Sequence, residues 1–196
     1  MNKAKFTEKR YIVVLSVVIS LFFFWAIALT MGDVLNKHFQ NVLNISKSKS
    51  GLVQLSIFGA YAIMGIPAGL LMKKYGYKVG VIIGLSLFSL GSFLFIPAAN
   101  QSSFNFFRFA LFILALGMAT LETVAHPFVA ALGDERTSDQ RVNFAQSFNG
   151  LGAIIGPLIG GFFIFGGSGE SSDLTSVKTL YTWIGVIILV ITIVFS

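Results

Sequence analysis

Residues Phe106–Leu132 read FFRFALFILALGMATLETVAHPFVAAL, and this stretch decides the fold. Arg108, Glu122 and His126 are its only ionisable side chains. A helix over these residues is roughly 40 Å long at 1.5 Å per residue, more than a hydrocarbon core of about 30 Å requires. Outward from it, the same ruler marks five more apolar runs: Tyr11–Gly32, Gly51–Met72, Val79–Ala98, Val142–Phe165 and Thr179–Ser196. Lys73–Lys78 is a tight basic link, and Gly166–Lys178 a Gly/Ser-rich polar loop.

Composition agrees. The 196 residues are 55% hydrophobic and 11% charged, with 21 Phe and a mean hydropathy of +0.82. Soluble domains carry about 25% charged residues, so this chain cannot build a water-facing shell. An ordinary soluble enzyme and a disordered tail are excluded. With no cysteine, so are a disulfide scaffold and any thiolate metal site. The first run is too long for a signal peptide, and no small-residue cleavage site follows it. The net charge of +6 does not indicate nucleic acid, because the positive residues sit between apolar runs and form no basic stripe.

Those positive residues orient the chain. Lys3, Lys5, Lys9, Arg10, Lys73, Lys74, Lys78, Arg136 and Arg141 fall on one side; Lys37, Lys47, Lys49, Arg108 and Lys178 fall on the other. Nine against five places the N-terminus in the cytoplasm. Residues 1–10 are then a cytoplasmic segment and 11–196 a six-helix bundle, an all-α membrane protein. The last run is barely long enough to span and stops at Ser196 without a polar flank, an ending that reads as a cut through a longer chain.

Ionisable groups inside the spans carry the functional question, since each costs about 2.5–3.5 kcal/mol at a helix centre on insertion scales. Glu122 lies fourteen residues past Arg108, roughly 21 Å into the membrane. It is either a carboxyl poised to exchange a proton or a neutral partner in an interhelical hydrogen bond. His126 shares its face one turn later, as a proton relay or as a packing residue. Pro127 frees a carbonyl one turn back. Asp33 ends the first run, where the helix macrodipole disfavours a carboxylate unless the helix continues through Val34–Leu43; it pairs with Lys37 on the surface or accepts protons from outside. Asn143, Gln146 and Asn149 recur every third residue on one face. Their amides both donate and accept, so they bind a polyhydroxylated ligand or hold helices together. Gly152, Gly156 and Gly160 form a small-residue seam on the same helix. Phe22–Phe24, Trp25, Phe106 and Phe107 read mostly as lipid-facing anchors, with Trp25 or Tyr61 available to stack on a sugar. Read as two groups of three, the runs place Asp33 and Glu122 at equivalent positions, the pattern of a 3+3 inverted repeat.

Several strings carry a resemblance. Ala68-Gly-Leu-Leu-Met-Lys-Lys-Tyr-Gly-Tyr-Lys78 is similar to the loop motif of the major facilitator superfamily, with Lys73 where that pattern has Asp. Gly32-Asp-Val-Leu-Asn-Lys-His-Phe39, Leu121-Glu-Thr-Val-Ala-His-Pro-Phe-Val129 and Asn143-Phe-Ala-Gln-Ser-Phe-Asn-Gly150 resemble the first, fourth and fifth helices of its fucose–galactose–gluconate:proton symporter family. The resemblance implies the N-terminal half of a twelve-helix fold in a bacterial cytoplasmic (inner) membrane. By it, Asp33 and Glu122 couple protons, and Glu122, Gln146 and Asn149 bind a monosaccharide. Asn143, His126, Trp25 and Tyr61 are accessory. The implied partners are the sugar, the lipid bilayer and the missing C-terminal six-helix half. The proton is the coupling ion, with no cofactor and no metal. Gly32, Thr30 and His126 each stand where the family pattern has Asn, which leaves the sugar open. A competing reading is a self-contained six-helix protein acting as a homodimeric facilitator or channel. An intramembrane acid/base enzyme using Glu122 and His126 is set aside, because the chain offers no nucleophile and no metal cluster.

Overall fold

The structure, a computed structural model, describes residues 4–165 and 174–196. Lys3, Glu170, Asp173 and most of the expected loop Gly166–Lys178 lie outside the described residues. The described residues form helices only: α1 (Ile12–Val42), α2 (Lys47–Ser50), α3 (Leu52–Phe93), α4 (Phe95–Asn100), α5 (Phe104–Ala131), α6 (Ser138–Phe165) and α7 (Thr175–Phe195).

Five helical segments are long and apolar enough to cross a membrane. One of them, α3, is roughly 63 Å long at 1.5 Å per residue, twice the hydrocarbon thickness. It folds back at Gly76, whose φ of 82° and ψ of 174° belong to a region that glycine alone enters without strain. The arms 52–75 and 77–93 therefore supply two crossings, and the basic link sits at the bend. Leu94 then separates α3 from α4, where Pro97 has no N–H to offer the Phe93 carbonyl.

One expectation changes. The first run does not end near Gly32: α1 continues unbroken to Val42, so Asp33 sits inside a helix and not at its C-terminal end. At 31 residues α1 is roughly 46 Å long and outruns the hydrocarbon core.

Glycines set how closely the helices approach, as is common where no hydrophobic effect drives association. Between α3 and α5, a Cβ on Gly91 or Gly117 would collide with the backbone of Leu114 or Phe88. Between α6 and α1, Gly152, Gly156 and Gly160 lie against Phe23, Ile27 and Val34, so the seam read on α6 is a helix contact. The α7 helix closes on α3 and α4. Ser89 Oγ donates to the Gly185 carbonyl at 3.0 Å, and Tyr181 stacks on Phe95 with centroids 3.8 Å apart. The aromatic residues read as lipid-facing divide: Phe22, Trp25 and Phe107 are buried, whereas Phe23, Phe24 and Phe106 are half-buried. Apolar side chains at Ile66, Leu158, Phe162 and Val194 remain open.

The α5–α6 turn is fastened by Arg141, which is fully buried. The last carbonyls of a helix have no partners within it. Arg141 supplies them, donating from Nε to Val129 O at 3.1 Å and from Nη2 to Ala130 O. Its Nη1 donates to Phe6 O at 2.8 Å and to Thr137 Oγ1 at 2.7 Å. Thr7 Oγ1 donates to Leu132 O at 2.6 Å, so the segment preceding α1 is strapped across this turn. Gly133 leaves the space, because a Cβ there would meet Arg141 Nη1 at 2.5 Å and Phe6 O at 2.6 Å.

Candidate functional site

The polar residues read from the spans gather on one wall of the bundle. From α1, Trp25 Nε1 donates to the Tyr61 hydroxyl at 3.1 Å. That hydroxyl, on α3, faces the Glu122 carboxyl on α5. One turn on, His126 Nδ1 lies 2.8 Å from the Glu122 main-chain carbonyl. Its Nε2 lies 2.6 Å from Gln146 Nε2 on α6. Asn149 Nδ2 donates to the Phe22 carbonyl of α1 at 3.3 Å. Four helices are thus joined by hydrogen bonds inside an apolar bundle.

Local sequence explains the placement. Glu122 and His126 are four apart on α5 and share a face. Pro127 interrupts the backbone ladder beside them, and Thr123 Oγ1 donates back to Ala119 O at 2.8 Å. Gln146 and Asn149 are three apart on α6, held against α1 by the glycine seam. Glu122 and Asn149 are half-buried, while Asn143 and Gln146 are exposed, so the wall has one open side. Asn143 lies on the same face, one turn nearer the α5–α6 turn.

Trp25 is 4% exposed. It presents an N–H to Tyr61 and a ring edge to His126, with centroids 6.0 Å apart, and no open face on which a sugar would stack. Asp33 is not part of the wall. It follows Trp25 by eight residues, roughly 12 Å along α1, and accepts a hydrogen bond from Gln54 Nε2 at 2.5 Å. Among the described residues the ion pairs are Arg10 with Glu8 and Arg136 with Asp134, so Asp33 meets an amide where Lys37 was one expected partner. Sequence reasoning missed Gln54, which nothing in its spacing links to Asp33. It also counted Arg141 only as a charge that orients the chain.

Electrostatically the wall holds one acidic group and no basic side chain other than the imidazole. No cluster of His, Asp or Glu able to hold a metal occurs among the described residues. What the arrangement offers is hydrogen bonding: a carboxyl, a phenol and two carboxamides around an opening.

The family model described as Major Facilitator Superfamily matches residues 13–196. The L-fucose-proton symporter of Haemophilus influenzae is 46% identical over 156 residues, 80% of this chain and 36% of that protein. The glucose/galactose transporter of Brucella abortus is 34% identical over 193 residues, 97% of this chain and 47% of that protein. Among solved structures, FucP in its outward conformation superposes with a TM-score of 0.81 at 37% identity, covering 95% of this chain and 50% of that one. The chain spans half or less of the length of these relatives.

Proposed function

The chain belongs to the major facilitator superfamily, and from this we propose that it forms the amino-terminal six-helix half of a proton-coupled monosaccharide transporter working by alternating access. The second half would pack on the open side of the wall and enclose the sugar between the two. The observation that carries the reading is the polar wall itself: Trp25–Tyr61, Asn149–Phe22 and Gln146–His126 bonds join four helices around the Glu122 carboxyl. An isolated acid in a membrane span is costly and faces a cavity or a partner.

In this reading Glu122 carries the coupling proton. As a neutral acid it offers one O–H donor; as a carboxylate it only accepts. A sugar hydroxyl at the wall meets a different partner in each state, so sugar affinity follows protonation. Gln146 and Asn149 hold further hydroxyls, with Asn143 nearer the mouth. Asp33, about 12 Å away along α1, is a second proton acceptor near the outer end of the path. The sugar is of the fucose, galactose or glucose type, the membrane is the bacterial cytoplasmic membrane, and the N-terminus faces the cytoplasm.

The test uses the full-length protein in proteoliposomes. Adding sugar outside should alkalinise the medium. Glu122→Gln should abolish that proton movement while sugar exchange by counterflow persists; coupling retained in the variant would overturn the role of Glu122. In the full-length protein cleared of any cysteine outside this chain, which itself has none, Lys74→Cys reports orientation, reacting only with a thiol reagent that reaches the cytoplasmic side.

A further inference from the structure

A carboxamide presents a donor end and an acceptor end, and which end faces a ligand is set by its other partners. On this wall both amides are already committed. His126 Nδ1 lies 2.8 Å from the Glu122 main-chain carbonyl, and a carbonyl oxygen only accepts, so Nδ1 carries the proton. In a neutral imidazole the other nitrogen is then an acceptor. The group 2.6 Å from that Nε2 is the nitrogen of Gln146, which donates. The two bonds agree on one tautomer and one amide orientation. The ring has little freedom to depart from it, standing edge-on to Phe22 with centroids 4.9 Å apart and to Trp25 at 6.0 Å. One turn along α6, Asn149 Nδ2 donates to the Phe22 carbonyl at 3.3 Å.

Each nitrogen therefore has one of its two N–H groups tied to the protein, which fixes the amide plane, and both oxygen ends, Gln146 Oε1 and Asn149 Oδ1, are turned to whatever enters. We propose that α6 presents an acceptor wall that selects ligands by hydroxyl donors at two positions, and that His126 is the positioning residue that sets it by fixing the Gln146 amide. Residues three apart on a helix have Cβ atoms about 5–6 Å apart, the scale of two hydroxyls on one pyranose ring. This rests on the monosaccharide reading above for the identity of the ligand, but not for the orientation of the amides.

The experiment measures equilibrium binding of L-fucose and D-galactose, and of their monodeoxyfluoro analogues, to the purified full-length protein. A C–F group accepts weakly and never donates. At the hydroxyls that face Gln146 and Asn149, fluorine should weaken binding on the order of tenfold, the size of a hydrogen bond lost together with a polar group left unpaired. His126→Phe keeps the ring packing and removes the acceptor, so Gln146 turns freely. Discrimination at the Gln146 position should then fall to about twofold or less, while the Asn149 position keeps its full effect. His126→Gln, whose amide oxygen can take the place of Nε2, should restore it. Imidazole ¹⁵N spectra of the wild type should show a protonated Nδ1 and a bare Nε2. Unchanged discrimination in His126→Phe, or a proton on Nε2 in the spectrum, overturns the proposal. If neither sugar binds the wild type while Nδ1 carries the proton, the monosaccharide reading fails and the acceptor wall stands for another hydroxyl-bearing ligand.

Discussion

Two polar constellations are built on α5 and α6, and both sit in apolar surroundings. At the turn, every nitrogen of Arg141 donates to a main-chain carbonyl or to Thr137, and the side chain is fully buried. Five residues further along α6, Gln146 is bonded at its nitrogen and exposed on its other side. The first group has its capacity met by the protein that surrounds it. The second keeps an acceptor pointing out. A polar residue in an apolar bundle is thus read by what it has left over: Arg141 is spent on the fold, and Gln146 keeps an exposed acceptor, which the proposed function assigns to a ligand.

The contrast breaks most readily at Arg141. Arg141→Leu keeps the bulk but leaves the carbonyls of Phe6 and Ala130 without their donor, while Val129 O keeps the Leu132 N–H; it should destabilise the protein by about 2–5 kcal/mol, from buried carbonyls left unpaired at about 1–3 kcal/mol each. Arg141→Lys should recover only part of this, because an ammonium cannot reproduce the guanidinium fork. Thermal unfolding of the purified protein measures both; a leucine variant that melts like the wild type would put Arg141 in the same class as Gln146. Gly133→Ala strikes the same node from the neighbouring residue. Its Cβ would press on the guanidinium and the Phe6 carbonyl and should cost about 1–3 kcal/mol. Gly150→Ala, inside α6 with nothing within 4 Å of the added Cβ, is the control of opposite sign and should stabilise by about 0.5–1 kcal/mol.

On the wall the expected effects on stability shrink while those on function grow. Tyr61→Phe removes the acceptor of the Trp25 indole N–H and the hydroxyl beside Glu122. It should cost about 1–2 kcal/mol and weaken the coupling of proton to sugar. Gln146→Ala should change stability by no more than about 0.5 kcal/mol, as for an exposed residue, yet abolish sugar binding. A Gln146→Ala variant that melts as low as Arg141→Leu would erase the distinction.

Much of this was legible in the sequence, and the gaps are physical. Apolar length located the crossings, because the bilayer imposes the same thickness on each of them. The spacing of Glu122 with His126, and of Gln146 with Asn149, placed them on shared faces, since helical periodicity does not depend on neighbours. The glycine seam of α6 was readable for the same reason. What failed depended on tertiary context. Trp25 and Phe107 read as anchors to lipid because hydropathy cannot tell lipid from a neighbouring helix. Arg141 read as a charge at the membrane surface because nothing in sequence reveals that α5 ends with carbonyls aimed at it. Asp33 looked terminal because the apolar run stops there, although the helix continues through polar residues to Val42.

Asp134 completes the comparison from the exposed side of the same turn, and its effect should be the smallest. Its carboxylate accepts from Arg136 Nε at 3.1 Å and Nη2 at 2.7 Å, and from the Arg136 main-chain N–H. The side-chain bond from Arg136 holds its pKa at about 2, below the ordinary value for an aspartate. A carboxyl whose pKa is lower in the folded state contributes stability above its unfolded pKa and loses it as pH falls through the folded one. The difference in melting temperature between the wild type and Asp134→Asn should therefore be constant from pH 8 to about 5 and close between about pH 4 and 2. It should also narrow in high salt, since the pair is open to screening. Arg141 makes its hydrogen bonds to carbonyls and a hydroxyl and meets Asp134 only through the weakest of the influences that favour its carboxylate, so Arg141→Leu should remain destabilised throughout that window. If the Arg141 deficit also vanished near pH 3, the buried node would depend on the neighbouring carboxylate, and the two sides of the turn would be one electrostatic unit instead of two.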